Sequence, residues 1–545
     1  MANTKARSAR VRLLVPVVMV LALAGSVLIV PSAPAAVGVD STALRNAVTL
    51  AGIREHQQEF QNIANANGGT RLAGTSGYDQ SADYVFDRLV AAGYSPVRQV
   101  FDFAFFQELS PSQMEQTAPT PTPYVNGTDF LTMDYSAAGD VTAPVTAVDV
   151  VLALPRDPVT SGCDGDFAEV GAGGFGNIVA DPTGPDDFAS FPAGNIALMQ
   201  RGTCTFALKV KNAEAAGASA AIIFNQGNTP GREPLFGGTL GGPAGIPALS
   251  VSFALGDTFA TTSGLELHIV TDTVSEIRPT ENIIAETATG RTDRVVVVGA
   301  HLDSVQAGPG INDNGSGSAT ILEIAEQFSK LGIEPRNQVR FAWWGAEEEG
   351  LLGSQFYVDQ LSKRDIKNIA VNLNFDMLGS PNFVRFVYDG NGSDTPLKGP
   401  TGSANVEKVF LDYFASQGLK TAPTAFDGRS DYGPFIAVGI PAGGLFSGAE
   451  GLKTAAQVVD YGGIMGEQYD PCYHEACDTF EGTGDGPGAT PPGRGLISLD
   501  QLSDGAADAV LQFAMTMSAV PGTDKSSDKA AAAAASLEYW ARLRK

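Results

Sequence analysis

The stretch Val295-Val296-Val297-Val298-Gly299-Ala300-His301-Leu302-Asp303 decides the fold of this chain. Four consecutive β-branched residues are typical of a strand that is buried on both faces of a sheet, and a candidate metal ligand, His301, follows them. Further along, the apolar pattern predicts a helix over 318–331, a strand over 338–344, a helix over 353–361 and a strand over 369–375. Strands that alternate with helices predict an α/β fold with a mixed, largely parallel sheet and flanking helices.

Residue types that bind metal recur where these strands end. They are two imidazoles and four carboxylates in short polar runs: His301, Asp313, Glu347, Glu348, Asp376 and His474. Ligands of open α/β sheets bind outside the carboxyl ends of the strands, so we expect these side chains to meet there. A carboxylate at the mouth of a buried sheet is unfavourable unless a cation pairs with it. Five of these residues are enough to bind two zinc ions, and Glu347 is an additional carboxylate. The set therefore matches a hydrolase site for two zinc ions.

Composition and the first residues limit the function classes. The formal net charge of -25 argues against nucleic-acid binding, because a phosphate backbone needs a basic face. Basic residues up to Arg12, the apolar run 13–30 and Ala33-Pro34-Ala35-Ala36 are typical of a signal peptide over 1–36. An uncleaved membrane anchor is the alternative, but Pro16 and Gly25-Ser26 interrupt the run. We expect a secreted, extracellular protein without stable membrane association after cleavage.

The four cysteines agree with secretion, because an even number behind a secretory signal favours disulfides. Cys472 and Cys477 lie close enough to bridge around His474, and Cys163 and Cys204 would form the second pair. The alternative, a zinc site made of cysteines, lacks any C-x-x-C spacing.

The length of 545 residues exceeds one ordinary core, so two domains are expected. From 136 to 277, short β-rich runs alternate with turns and predict an inserted lobe, in which 195–225 is a strand, loop, short helix and strand. The ranges 37–135 and 278–520 would form one discontinuous domain, the main domain. It ends with a helix over 498–517, capped near Ser498 and Asp500. The tail, 521–545, is expected to be disordered.

Several runs together carry a family resemblance. They occur in the order GAHLDSV (299–305), NDNGSG (312–317), WWGAEEEGLLGS (343–354), LNFDMLGSPN (373–382), GRSDYGPF (428–435) and DPCYHEACDT (470–479). The chain resembles secreted double-zinc aminopeptidases of peptidase family M28, of the bacterial leucyl aminopeptidase type and most like those of Streptomyces. The resemblance covers about 40–103 and 281–517 and implies the zinc exopeptidase fold. The lobe, around 199–225, resembles the protease-associated (PA) domain that some members carry.

The resemblance implies a role for each metal ligand. The two Zn²⁺ ions would be bound by His301 and Asp376 on one side, by Glu348 and His474 on the other, and by Asp313 on both. Family members have a cis peptide bond after the bridging Asp, which predicts one at Asp313–Asn314. Asp303 would accept a hydrogen bond from the imidazole of His301. The alternative for Asp303 is a surface residue at the end of a strand.

The resemblance also implies the catalytic groups. Glu347 would act as general base, taking a proton from the attacking water and passing it to the leaving amine. Tyr473 would donate a hydrogen bond to the oxyanion. The alternative for Tyr473 is a packed aromatic residue held by the Cys472–Cys477 loop. Glu349 follows the glutamate pair where relatives often carry an apolar residue, which affects the strand-to-helix turn and not a ligand.

The expected substrates are the N-termini of peptides or proteins. Glu347 and Asp376 would bind the free α-amine with their negative charge. By resemblance, Arg429 lies near the substrate N-terminus, and Phe446 lines an apolar pocket for a large first side chain. Alternatively, Arg429 pairs with a neighbouring aspartate, and a single Phe is more often a core residue. We expect a monomer.

Three other functions are open at this stage. A carboxypeptidase or dipeptidase of the same clan would need a basic cluster for a substrate carboxylate, and beyond Arg429 the sequence shows none clearly. A non-catalytic binding protein that acts through its PA-like lobe would usually lack some ligands, whereas all are present. A one-zinc relative of the glutaminyl cyclases fits the full ligand set poorly.

Overall fold

A computed structural model of the chain describes residues 39–170, 177–181, 184–485 and 493–515. The predicted signal peptide, 1–36, and the predicted tail, 521–545, lie outside these residues. Within the described ranges, no helix has both the length and the apolar composition that crossing a bilayer requires.

Three helices and a long strand come before the lobe. Their bounds are α1 (Thr42–Ala47), α2 (Leu50–Ala66), α3 (Ser76–Ala91) and β1 (Val97–Ala118). Helix α2 begins after Thr49, whose side chain accepts a hydrogen bond from the backbone N–H of Gly52 and so satisfies one free donor of the first turn.

The segment between β1 and β10, which contains the lobe, is built from short strands and two helices. They are β2 (Thr122–Tyr124), β3 (Phe130–Thr132), β4 (Gly139–Ala147), β5 (Phe167–Val170), β6 (Asn177–Ala180), β7 (Ile196–Gln200), α4 (Phe206–Ala215), β8 (Ala220–Phe224), a 3₁₀ turn (Pro230–Arg232), β9 (Ala248–Val251) and α5 (Phe253–Thr261). Strand β7, helix α4 and strand β8 confirm the pattern predicted over 195–225. Thr205 caps α4 by accepting from the Leu208 N–H, which explains why a helix begins directly after the loop.

The remaining elements alternate as the sequence predicts. They are β10 (Glu266–Glu286), β11 (Arg291–His301), α6 (Gly315–Lys330), β12 (Asn337–Trp344), α7 (Leu352–Asp359), α8 (Lys363–Asn368), β13 (Ile369–Phe375), β14 (Phe386–Tyr388), α9 (Ser403–Ser416), β15 (Ala422–Thr424), α10 (Tyr432–Ala437), β16 (Ala442–Phe446), α11 (Ala455–Tyr461), α12 (Phe480–Asp485) and α13 (Arg494–Met515). The strand and helix order predicted between 295 and 375 is confirmed.

The predicted start of the closing helix was wrong. Helix α13 begins at Arg494, so Ser498 and Asp500 lie inside it and do not cap it. Arg494 donates a hydrogen bond to the backbone carbonyl of Tyr461, and this long-range contact fixes the beginning of the helix. A contact of that kind leaves no local signal in the glycine-rich run before it.

One mixed sheet runs through both parts of the chain. In the described residues its strand order is β15-β14-β16-β13-β11-β12-β10-β4-β7-β8-β9-β3, with β1 beside β10. Strand β11 pairs in parallel with β12 and β13, and β13 pairs in parallel with β16. In the lobe, β4 pairs in parallel with β7, β7 with β8, and β8 with β9. The predicted mixed, largely parallel α/β sheet is confirmed.

The antiparallel pair β1–β10 joins the lobe to the main domain. Its register runs from Val97 opposite Ile284 to Ala118 opposite Glu266. One end of β10 pairs with β12 and the other with β4 of the lobe, while β3 pairs with β9. Because β10 continues through residue 277, the lobe limits of 136 and 277 stay a prediction.

Strand β11 is buried on both faces, as its four valines predict. Val296 and Val298 pack into the core beneath α2, α3 and α6, whereas Val295 and Val297 pack on the opposite face. All four side chains are at most 2% exposed. The buried part of this strand has no room for polar side chains, so a polar side chain that follows the valines lies at the carboxyl end of the strand, as His301 does.

Both predicted disulfides are confirmed. Cys163 bonds to Cys204 in the lobe, and Cys472 bonds to Cys477 in the main domain. The second bond closes a short loop that contains His474.

Candidate metal centre

The predicted ligands meet at the carboxyl edge of the main-domain sheet. His301 ends β11, Glu348 follows β12, and Asp376 follows β13 directly. Asp313 lies just before α6, and His474 lies in the loop between α11 and α12. The sheet order places β11 between β12 and β13, so the three strand ends lie side by side.

Two groups of ligand atoms form around Asp313. His301 Nε2 lies 3.2 Å from Asp313 Oδ1 and 3.4 Å from Asp376 Oδ1. His474 Nε2 lies 3.3 Å from Asp313 Oδ2 and 3.0 Å from Glu348 Oε2. Tetrahedral zinc, with bonds near 2.0–2.1 Å, spaces its donor atoms by about 3.3 Å. Both groups have the spacing of zinc ligands, and Asp313 offers one oxygen to each.

Some oxygens of these carboxylates have no hydrogen-bond partner. In the described part of the chain, Glu348 Oε1 and Asp376 Oδ1 are buried in this way. Buried polar atoms are nearly always paired in folded proteins. The two oxygens therefore fit a site that holds a cation, and the residues are suited to zinc.

The charges of the cluster are strongly coupled. Burial and the nearby carboxylate of Asp313 raise the pKa of Glu348 to about 7. Burial also raises the pKa of Glu347 well above its ordinary value. Burial alone would lower the pKa of His301, but the carboxylates of Glu347 and Asp376 outweigh it and raise that pKa. The cluster therefore requires positive charge, which protons or a bound cation can supply.

This coupling predicts how pH acts on metal-free protein. The pKa of Glu348 rises from 4.5 to about 7 on folding, and burial raises that of Asp431 from 3.8 to about 8. A carboxyl whose pKa is raised in the folded state contributes stability below its ordinary pKa and loses it as pH passes the folded value. We expect the Tm of chelator-treated protein to fall between about pH 5 and pH 8, and that of zinc-loaded protein to fall less. A metal-free Tm that rises over this range would contradict the charge assignment.

The turn that carries Asp313 is fixed by contacts from other loops. The Asp313–Asn314 peptide bond is cis, as predicted. The Asp478 carboxylate accepts the backbone N–H groups of Asn312 and Asp313 at 2.7 and 2.9 Å. Asn314 donates to the carbonyl of Phe375 at 2.9 Å. Asp478 was not given a role from the sequence, although it lies in the same motif as His474.

Asp303 holds the loop of the glutamate pair. Its carboxylate accepts the backbone N–H groups of Glu347 and Glu348, both at 3.2 Å. Asp303 Oδ1 lies 3.6 Å from His301 Nδ1, and the backbone carbonyl oxygen of Asp303 lies closer, at 3.3 Å. The side chain is fully buried and is not a surface residue. Asp303 thus joins the loop after β11, which follows His301, to the loop after β12, which carries Glu347 and Glu348.

Arg71 is a residue of the site that the sequence analysis missed. It is fully buried and donates to the backbone carbonyls of Leu302, Pro309 and Gly310. The carbonyl of Leu302 directly follows His301 in the chain, and those of Pro309 and Gly310 come shortly before Asp313. Burial lowers the pKa of Arg71 to about 10, so it stays charged near neutral pH. It ties the two ligand loops together from a loop between α2 and α3, where no local pattern marks it.

Glu347 lies beside the two ligand groups. Its Oε2 atom is 3.9 Å from His301 Nε2, farther than the Asp313 and Asp376 oxygens. The side chain is 9% exposed and faces the cavity next to the ligands. A carboxylate that is close to the ligands but not among the nearest donors is free to exchange a proton.

Tyr473 and Arg429 lie at the mouth of the site. The Tyr473 ring stacks on His474 with 3.8 Å between centroids. Arg429 Nη2 lies 3.4 Å from the Tyr473 hydroxyl, and the guanidinium forms an ion pair with Glu450 at 2.6 Å. The backbone N–H of Arg429 donates to Asp427. Both predicted residues therefore reach the site, and Arg429 is held by an acidic partner.

A cavity of about 80 Å³, the small pocket, opens next to the ligands. Its lining includes Glu347, Asp376, Met377, Tyr388 and Phe446. The Phe446 ring is half-buried and stacks on Phe386, with 5.9 Å between centroids. The small pocket thus combines carboxylates at one end with an apolar wall at the other.

Two more residues of the site escaped the sequence analysis. Ser430 Oγ donates to Asp376 Oδ2 at 2.5 Å, and so orients that ligand. Asp431 is almost fully buried, and burial raises its pKa to about 8. Both follow Arg429 in the run GRSDYGPF, of which only the arginine was given a role. Ser430 and Asp431 are small polar residues directly before the buried Tyr432, and this pattern was the sequence signal that could have indicated a role for them.

Comparisons with known proteins agree with this geometry. Peptidase family M28 matches residues 282–485, and the PA domain matches residues 141–259. An aminopeptidase of Pseudomonas aeruginosa PAO1 is 48% identical over 77% of this chain and 75% of that protein. A probable lipoprotein aminopeptidase, LpqL, of Mycobacterium tuberculosis H37Rv is 40% identical over 81% of this chain and 82% of that protein.

Solved structures share the fold. An aminopeptidase from Aneurinibacillus sp. strain AM-1 superposes with a TM-score of 0.60 at 24% identity, over 89% of this chain and 98% of that one. BSAP, a zinc aminopeptidase from Bacillus subtilis, gives a TM-score of 0.54 at 24% identity, over 86% of this chain and 96% of that one. The α/β fold with an inserted PA domain is thus common to these chains.

Proposed function

Because the chain belongs to peptidase family M28, we propose that it is a secreted zinc aminopeptidase that removes large apolar residues from peptide N-termini. The family match and the relatives named aminopeptidase support a metal-dependent hydrolase that acts on peptides. The two disulfides suit an oxidising compartment, which supports secretion.

The observation that carries the proposal is the pair of ligand groups that share Asp313. Each oxygen of its carboxylate faces a different imidazole, His301 or His474. Asp376 completes one group and Glu348 the other. A carboxylate shared in this way is the arrangement expected of a centre with two zinc ions.

Glu347 is the residue best placed to move the proton. Bound zinc would lower the pKa of a water molecule and polarise the substrate carbonyl. Glu347 would take the proton of the attacking water and deliver it to the leaving amine. Its carboxylate is buried beside the ligand groups and lines the small pocket, so it is close enough to both the attacking water and the leaving amine to carry the proton between them.

Tyr473 is the candidate for the oxyanion. Its hydroxyl lies near Arg429, and its ring is fixed on His474. A phenol held at the mouth of the site can donate to the oxygen that becomes negative when water adds to the carbonyl. The hydrogen bond from a preorganised donor strengthens as that charge develops, and so favours the transition state.

The small pocket suits a free amine and one side chain. Glu347 and Asp376 provide negative charge for the α-amine, and Phe446 provides an apolar wall for the first side chain. Among the described residues that line this pocket, Arg429 is the one guanidinium, and it already pairs with Glu450. This arrangement favours an aminopeptidase over an enzyme that holds a substrate carboxylate.

Zinc content tests the proposal. We expect purified protein to contain about two zinc ions per chain, because two ligand groups are present. A chelator should remove both ions together with the hydrolysis of a leucyl reporter, and added zinc should restore both. Metal analysis alongside the reporter assay makes the measurement. Full activity of metal-free protein would refute the proposed function.

A further inference from the structure

A larger cavity lies between the lobe and the catalytic edge of the sheet. Its volume is about 860 Å³, which is within the range of ligand-binding pockets. Thr239 and Gly241 line it from the lobe, and Tyr135, Gln306 and Phe356 line it from the main domain, together with residues of β1 between 101 and 108. We call this cavity the groove.

The groove adjoins the small pocket at a metal ligand. Glu348 lines both cavities, whereas Glu347, Asp376 and Phe446 line the small pocket alone. A peptide whose first residue occupies the small pocket must leave the ligands in some direction. The groove begins at the same carboxylate and is about ten times larger in volume (860 Å³ against 80 Å³), so it offers room for several residues that follow the first.

Every charged side chain that lines the groove is acidic. The lining acids are Asp102, Glu108, Asp134, Glu348, Glu349 and Asp359. No Lys, Arg or His occurs among the described residues that line it. Glu348 belongs to the metal centre, and burial raises the pKa of Glu349 to about 8. The other four carboxylates therefore give the groove its charge near neutral pH. A cleft lined by one sign of charge concentrates ligands of the opposite sign.

Aromatic rings lie between these carboxylates. Phe101 stacks on Phe356 with 5.0 Å between ring centroids, and Phe106 contacts Tyr135 with 5.7 Å between centroids. The faces of aromatic rings attract ammonium and guanidinium groups. Acids and rings together are the chemistry that recognises lysine and arginine side chains.

Hydrogen bonds hold the walls of the groove in place. Glu108 Oε1 accepts from the hydroxyls of Ser112 and Thr132 at 2.8 and 2.9 Å. Gln306 donates to the backbone carbonyl of Glu108 at 3.0 Å. The Tyr135 hydroxyl donates to Glu349 Oε2 at 3.3 Å, which connects the segment directly before the lobe to the loop of the glutamate pair. The groove is therefore built by both parts of the chain.

We propose that the groove binds the peptide after its N-terminal residue, and that it selects substrates with lysine or arginine at the second to fourth positions. This inference rests on the proposed aminopeptidase function and adds a specificity to it. The groove then recognises the charge of the residues that follow the first, while the small pocket recognises the first side chain.

Charge sets the expected size of the preference. A unit charge about 7 Å from a carboxylate in water gains roughly a factor of three in affinity, and the four carboxylates of Asp102, Glu108, Asp134 and Asp359 act together. At low salt, we expect kcat/KM for Leu-Ala-Lys-Ala-amide to exceed that for Leu-Ala-Glu-Ala-amide by about tenfold or more. The ratio should fall as ionic strength rises from about 0.01 to 0.15 M, because the groove is open to solvent and salt screens exposed charges.

Leucine release from the two amides, measured as initial rates, tests the proposal. The double substitution Asp102→Asn/Asp134→Asn removes two exposed acids of the groove, and should lower the Lys/Glu ratio about threefold to tenfold. Asp257→Asn/Asp412→Asn is the matched control, because it removes the same charge from α5 and α9, outside the lining of both cavities. The control should leave the ratio unchanged.

A single-residue leucyl reporter separates this inference from the proposed function. If the reporter is not hydrolysed, the proposed function fails. If the reporter is hydrolysed but the two amides react equally, only the groove proposal is overturned. Equal loss of the preference in the groove variant and in the control would also overturn it, because net charge and not the groove would then be responsible.

Discussion

Glu347→Gln is expected to lower kcat by about 10²–10⁴-fold while the zinc content stays near two per chain. The amide keeps the size of the side chain but cannot accept a proton from water. Glu347 is not among the nearest donor atoms around Asp313, because its Oε2 atom lies 3.9 Å from His301 Nε2. Single-turnover kinetics on a leucyl reporter, together with metal analysis of the same sample, measures both quantities.

Glu348→Gln is the matched comparison, since the two glutamates are neighbours in one loop held by Asp303. Glu348 Oε2 lies 3.0 Å from His474 Nε2, so this variant should lose zinc. If Glu347→Gln lost the metal and Glu348→Gln kept it, the roles of base and ligand within the pair would be reversed.

N-Acetylation of the substrate is expected to abolish almost all turnover. The small pocket pairs the protonated α-amine with Glu347 and Asp376, which are 9% exposed. Acetylation removes that charge and leaves buried carboxylates without their partner, which costs about 3–5 kcal/mol. This corresponds to roughly a thousandfold in kcat/KM. Leucyl and N-acetyl-leucyl reporters, assayed side by side, give the ratio.

An N-methyl-leucyl reporter separates charge from bulk. It keeps the positive amine and adds one methyl group, so its turnover should exceed that of the acetylated substrate. Comparable rates for the free and acetylated substrates, or release of residues from the C-terminal end of a peptide, would contradict an amine-binding pocket. The metal centre itself would be unaffected by that result.

The agreement between sequence and structure is best where the signal is local. The four valines of β11 predicted burial on both faces, and the strand is buried on both faces. The short polar runs after the strands predicted a ligand cluster, and the cluster exists because neighbouring parallel strands end at one edge. The start of α13 was predicted wrongly, because Arg494 is fixed by Tyr461 and not by a cap.

The sequence by itself determined the α/β fold, the candidate ligand residues and the disulfide pairs, because these depend on short runs and on residue chemistry. Only the tertiary structure decided which oxygen of Asp313 faces which imidazole. It also decided that Arg71 binds the ligand loops from far away in the chain, and that acids from β1, from the segment before the lobe and from the end of β12 line one groove. These features depend on how strand order brings distant segments together, and that order leaves no trace in any local stretch of residues.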